Sequence, residues 1–225
     1  MAEELGRIER PSASRYQLGR RLYMVPLIYA LRDAPADFLE RFERYWQEVQ
    51  EYLWNLESKI GVVRRVYHES VARGGEEGLK LLERLNAASH AIARRMCEAG
   101  AVFEPVEDAE LENECLDWER CLMLGFLSRT AADHINQLYR DSSRRRWEHI
   151  ARRIDESLGS DEVAVLFMRQ GHQLQFPPDI EVFLVAPPSL DALQRWLRDQ
   201  SHEGPAPADQ PEGEAEGGGG ESSGE

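Results

Sequence analysis

Apolar and polar positions alternate along the chain in two distinct ways: short all-apolar runs, and longer stretches with a three-to-four-residue period. Residues 21–30, RLYMVPLIYA, form an apolar run rich in strand formers that stops at Arg32, Asp33 and Pro35, which predicts a buried first strand. Pro26 lacks the N–H that a central ladder needs, which places it at a bulge or sheet edge. From Asp37 onward, Phe38, Phe42, Tyr45, Val49, Tyr52, Leu53 and Leu56 recur between Glu40, Glu43, Glu48 and Glu51. This spacing predicts an amphipathic helix of about five turns with Asp37 as its N-cap.

After Gly61, the run Val62 to Tyr67 is β-branched and aromatic and reads as a second strand. Strand, helix and strand in this order suggest a βαβ unit. RGGEEG (73–78) reads as a break, and helical spacing returns over 79–99 through Leu79, Leu82, Leu85, Ile92 and Met96, with Gly100 as a C′ residue. AVFEPVED is a short extended segment. Two further helices follow over 108–127 and about 131–158, the second ended by Gly159. EVAVLFM (162–168) and IEVFLVA (180–186) are continuous apolar runs, as expected of strands covered on both faces, and PPSLDALQRWLRDQ is a short capped helix. The expected core comprises Val25, Ile28, Val63, Val66, Val165, Leu166, Val182 and Leu184.

The architecture expected from this pattern is α/β: a single domain over residues 20–200 with a mainly parallel sheet flanked by helices. A flexible segment (1–19) precedes it and a disordered acidic Gly/Glu-rich tail (201–225) follows it. Charge sharpens the division. The chain of 225 residues carries a net charge of -14, and residues 201–225 hold seven acids and no Lys or Arg, so half of that charge lies in the tail. A net-negative surface argues against nucleic acid, which needs clustered positive charge. No run approaches the ~18 apolar residues of a membrane span and the first residues lack a signal-peptide core, so no membrane association and a cytoplasmic location are expected. Three cysteines, at 97, 115 and 121, neither pair off evenly nor form the close pairs of a zinc knuckle, and core thiols are the default.

Candidate chemistry is sparse. Gly171-His172 follows a buried strand, where open α/β sheets place ligands, and histidine titrates near neutrality and is the commonest metal ligand. A loop histidine bonded to neighbouring backbone is the plainer reading. His68-Glu69 ends the second strand, and the alternation of strand side chains allows only one of the two to face a given site. The helix RDSSRRRWEHIARR is rich in arginine, but Arg144, Glu148, Arg152 and Glu156 alternate in sign at i,i+4, as on a solvated face. Acids at 107, 110, 114 and 117 read the same way. G-x-G-x-x-G, P-loop and H-E-x-x-H motifs are absent from the sequence, and its one G-x-S-x-G match, GESSG at 220–224, falls in the Gly/Glu-rich tail with no strand pattern before it or helix pattern after it, which removes the standard dinucleotide, NTP, zincin and hydrolase-elbow readings.

The segments RLYMVPLIYA, VVRRVYHE, RWEHIARRI and VAVLFMRQGHQL together resemble the TraB/Tiki/ChaN-like superfamily over about residues 21–186. The resemblance implies a first strand ending in a histidine motif, a second ending in Glu, a helix opened by Arg-Asn or Arg-Asp, and a Gly-His loop after a late strand. Some members are metal-dependent proteases, and one branch binds haem. Glu69, Arg146 and Gly171-His172 fall at matching places, whereas Tyr29 stands where the histidine would be and Trp147 where the Asn or Asp would be. Phenol is a poor neutral-pH metal ligand and indole accepts no hydrogen bond.

Two functional expectations follow. The first is a non-catalytic binding or interaction domain with a depleted site, whose partner is an unknown small molecule or protein. The aromatic-rich helix, with Phe42, Tyr45, Trp46, Tyr52 and Trp54, suggests a possible homodimer interface. The second is a metal-dependent, peptidase-like hydrolase with Glu69 and His172 as metal ligands or acid/base and Arg146 holding an anionic group. The sequence specifies no cofactor.

Overall fold

The computed structural model describes residues 18–30 and 33–202. The lead-in up to residue 17 and the acidic tail beyond residue 202 lie outside the described residues. Five strands, β1 (Arg20–Pro26), β2 (Val63–His68), β3 (Val102–Phe103), β4 (Val163–Met168) and β5 (Ile180–Leu184), form one sheet in the order β3-β2-β4-β1-β5. All neighbouring pairs are parallel. Six helices flank it: α1 (Ala36–Lys59), α2 (Gly75–Leu85), α3 (Ala87–Glu98), α4 (Ala109–Met123), α5 (Arg129–Ser157) and α6 (Pro188–His202). This is the expected α/β architecture in a single domain.

Strand side chains alternate, so each inner strand feeds two cores. Tyr23, Val25, Val66, Val165 and Phe167 pack beneath α1, α2, α3 and α6. Leu22, Met24, Tyr67, Leu166 and Met168 pack beneath α5, which contributes Ile150 and Ile154. Every residue of β4 is buried, as its unbroken apolar run requires.

Several expectations are corrected. β1 stops at Pro26, opposite Met168, so the missing donor falls at the end of an inner strand rather than at a bulge or sheet edge, and Leu27 to Ala30 leave the sheet. The Pro26 carbonyl accepts a hydrogen bond from the Tyr45 hydroxyl. The βαβ reading of β1, α1 and β2 stands, since the two strands are parallel in one sheet, with β4 inserted between them. The stretch 79–99 is two helices, and α2 already begins at Gly75. Asn86, with extended backbone, breaks the stretch and caps α3 by accepting from Ser89 N–H at 3.1 Å. Gly100 closes α3 as expected: at φ +103° it donates to the Cys97 carbonyl while Ala101 donates to Met96, a Schellman pair. Asp37 is not a cap. It sits inside α1 and its carboxylate accepts from Trp196 Nε1 at 2.6 Å. β5 is an edge strand, so Val182 and Leu184 are exposed although their run is apolar, and Ile28 is half-buried. Tyr45 and Trp46 of α1 are spent on the chain's own core, which leaves Tyr52 and Trp54 as its exposed aromatics.

Candidate functional site

β2 and β4 run side by side, and their carboxyl ends lead into Glu69 and Arg169. Alternation sends His68, the last residue of β2, and Glu69 just after it to opposite faces. His68 turns toward α3: its Nδ1 bonds the Glu69 carbonyl and its Nε2 lies 3.1 Å from Ser89 Oγ. Burial pulls its pKa down to about 4, so the ring is neutral and fully enclosed. Asn86 extends the same network to the Ile28 carbonyl at 2.8 Å and so ties the β1 exit to α3. His68 is a lock between elements and has no access to ligand.

Glu69 turns the other way, toward α5, and is 1% exposed. Its Oε1 accepts from both the backbone N–H and Nε of Arg169, each at 3.0 Å. Its second oxygen lies 3.9 Å from Nη2 of Arg146. Arg146, also buried, grips Glu107 with both arms of its guanidinium, Nε reaching Oε2 at 2.9 Å. Glu107 accepts in addition from Ser70 N–H at 3.0 Å, and Ser70 holds a left-handed φ of +64° to present it. Burial lifts the Glu69 carboxyl to about 7 against the pull of the two guanidiniums, with Glu107 adding like-charge repulsion. Burial alone would lower the Arg146 pKa, but the hydrogen bond and charge of Glu107, together with the charges of Glu69 and Glu112, outweigh it and the pKa rises. Tyr29, half-buried beyond the end of β1, bonds the Ser70 side chain. Burial and then the Glu69 charge push its phenol up to about 12.

A cleft of about 180 Å³ opens beside this cluster, lined by Glu69, Ser143, Arg146, Trp147, Arg169 and His172, with Leu116 and Glu119 on its α4 wall. It lies at the carboxyl ends of the strands, where the chain doubles back to insert β4 between β2 and β1. Trp147 also borders two adjoining cavities of about 260 and 240 Å³ that reach Arg144 and Gln173.

Glu69, Arg146 and His172 therefore line one cleft. Among the described residues, no three His, Cys, Asp or Glu side chains are grouped to hold an ion. His172 Nδ1 accepts from Leu174 N–H at 3.3 Å, which in the neutral ring puts the proton on Nε2. Burial lowers its pKa and keeps it neutral. His172 thus offers the cleft a donor, not a lone pair, while carrying the backbone bond of the plainer reading. Glu107 is corrected: it precedes α4 and is a buried partner of Arg146, not part of a solvated ladder.

Arg169 and Glu107 carry no weight in the sequence reading. An arginine at the end of an all-apolar strand, and an acid one residue after the buried Val106, were the available signals. The chain matches no protein-family model, no curated protein and no solved structure. Among the described residues no helix is long and apolar enough to cross a membrane.

Proposed function

We propose that this domain binds a small molecule bearing a carboxylate or phosphate group in the cleft beside Glu69, without catalysing a reaction of its own. The observation that carries the reading is a buried carboxyl poised near neutrality between Arg169 and Arg146. When Glu69 is protonated, its O–H, the Arg169 guanidinium, the His172 Nε2–H and the Ser143 hydroxyl all line one cleft as donors, and Glu69 no longer cancels the Arg169 charge beside it. Glu119 on the opposite wall accepts, so the ligand carries a hydrogen-bond donor at its other end. The adjoining cavities around Trp147 favour an elongated molecule with a flat or apolar middle.

A thermal-shift titration with phosphate, acetate, succinate and phosphoglycolate tests this. The expected result is a saturable rise in Tm that is larger at pH 6 than at pH 8 and is lost in Arg169→Gln. An unchanged response in Arg169→Gln, or no saturable shift with any of the four, overturns it.

A second reading rests on the same carboxyl. A glutamate near pH 7 in a cleft meets the condition for general acid or base catalysis. In that case the domain is a hydrolase of the peptidase-like class, with Glu69 moving the proton and Arg146 and His172 holding the oxyanion. Turnover of an ester or peptide panel that is undiminished by chelator and abolished in Glu69→Gln favours it over simple binding.

A further inference from the structure

We infer that the α4–α5 hairpin is a self-association surface, completed as a four-helix bundle by the hairpin of a second copy of this chain. α4 packs substantially on α5 and on no other element. Leu111, Cys115, Trp118 and Leu122 of α4 and Ile135 and Leu138 of α5 recur at helical spacing, the pattern of a bundle seam. Two helices cover each other on one side only. Of these six residues Cys115 alone is buried, and Leu138 is exposed. The turn is more open still: Met123, Leu124 and Leu127 are 82%, 86% and 110% exposed, gathered within five residues around Gly125. Concentrated apolar exposure of this kind marks an interaction site rather than ordinary surface.

Charge identifies the occupant. α4 carries five acids, Glu110, Glu112, Glu114, Asp117 and Glu119, against the single base Arg120. α5 up to Arg145 carries four arginines, Arg129, Arg140, Arg144 and Arg145, against Asp133 and Asp141. When two hairpins pair about a two-fold axis with each α4 between two α5 helices, every neighbouring pair in the bundle is acidic against basic and the seams face inward. The bond from Arg145 to Glu114 shows this complementarity at work within one copy. An anionic lipid surface is a poorer match, because the acidic α4 lies beside the apolar turn and would be repelled.

Association also bears on the cleft, since Leu116, Glu119 and Tyr139 belong both to the hairpin and to the cleft wall. The test is sedimentation velocity on the full chain from 1 to 100 µM, together with Leu138→Glu and the double variant Leu124→Glu/Leu127→Glu. The two turn positions are solvent-exposed, so the monomer fold tolerates their change, and circular dichroism melting verifies this. The expected wild-type species has twice the mass of the 25.8 kDa chain, with dimer affinity at least tenfold weaker in both variants. A wild-type monomer at 100 µM overturns the inference, as does a dimer indifferent to all three substitutions. A wild-type monomer whose turn binds anionic vesicles assigns the apolar turn to lipid instead. None of these outcomes decides the ligand titration above, whose readout is the loss of the response in Arg169→Gln at one fixed protein concentration.

Discussion

The two ends of the sheet both carry arginine–carboxylate networks, and they use them differently. At the amino end, Arg20 reaches Asp155 and Asp179, each at 2.7 Å, Arg65 joins Glu104 to Glu162, and Arg21 donates to the Ile60 and Asp161 carbonyls at 2.8 and 2.9 Å. Water reaches the carboxylates here: the Asp155 and Asp179 side chains are 43% and 61% exposed. At the carboxyl end the same chemistry is sealed. Glu69, Glu107 and Arg146 are nearly inaccessible, and the cluster borders a cleft. A surface network has water as its alternative partner and adds little stability. A buried one has no such alternative, so each group depends on the others and the pKa values shift. The carboxyl end is where a ligand can replace a partner, and the amino end is a clasp between strand entries.

The largest expected difference comes from unpairing the buried end. Glu107→Ala leaves the Arg146 guanidinium buried without its two-pronged partner, with an expected loss of about 3–5 kcal/mol in urea-unfolding stability. Replacing both residues, Glu107→Leu with Arg146→Met, should recover most of that loss. Recovery absent from the double variant would mean that the pair does more than neutralise itself.

Second in size is the pH dependence of Glu69. Its folded pKa of about 7 lies above the ordinary 4.5, so the stability linked to its protonated form is complete below pH 4.5 and is lost as pH rises through 7. The integrated effect is about 3 kcal/mol at most. Glu69→Gln stays neutral throughout and should remove this component. Its unfolding free energy at pH 8 should therefore exceed wild type while the two converge near pH 4.5. Parallel pH profiles for the two proteins would place Glu69 in the ordinary carboxylate range and remove the basis for pH-dependent ligand binding.

The contrast between the two ends was only partly legible in the sequence. Unbroken apolar runs identified β4 as central, and helical periodicity found α1, α4 and α5, because one residue's neighbours along the chain decide its exposure there. Coverage of β5 depends on how far α5 extends across the sheet, and no local pattern encodes that. Asn86 broke an apparently continuous helix because an N-cap preference competes silently with apolar spacing. Glu69 and His172 were singled out by their places after strands and Arg146 by the resemblance alone, since its helix read as a solvated face; all three line the cleft. Glu107 and Arg169 were missed because their meaning lies in each other's company: an acid before a helix and an arginine after a strand are individually ordinary. That His172 Nδ1 accepts from Leu174 N–H, which leaves the proton on Nε2, is a tautomer choice that sequence does not carry.

Asn86→Ala probes the lock behind the site rather than the site itself. The side chain both caps α3 and donates to the Ile28 carbonyl from a buried position, so its removal should cost about 1–2 kcal/mol, at the upper end of N-cap losses. The His68–Ser89 pair, next to the cap, should loosen with it. Faster amide exchange at Ser89 and Glu69, with the ligand affinity of the cleft unchanged, is the expected pattern. A parallel loss of ligand affinity would show that the lock also positions Glu69.

The smallest effect should come from the amino end. Asp179→Asn removes one of two carboxylates from Arg20, whose other partner Asp155 stays in place, and the Asp179 side chain was mostly in water to begin with. The expected cost is under about 1 kcal/mol and shrinks with added salt. That salt dependence distinguishes the two ends, because screening reaches exposed pairs and not the sealed Arg146–Glu107 pair. Urea unfolding of Asp179→Asn and Glu107→Ala at about 0.05 M and 1 M NaCl should therefore show the first difference vanishing and the second persisting. Were the Glu107→Ala loss screened away as well, the carboxyl-end cluster would be as wet as the amino-end clasp, and its claim to be the binding site would fall with it.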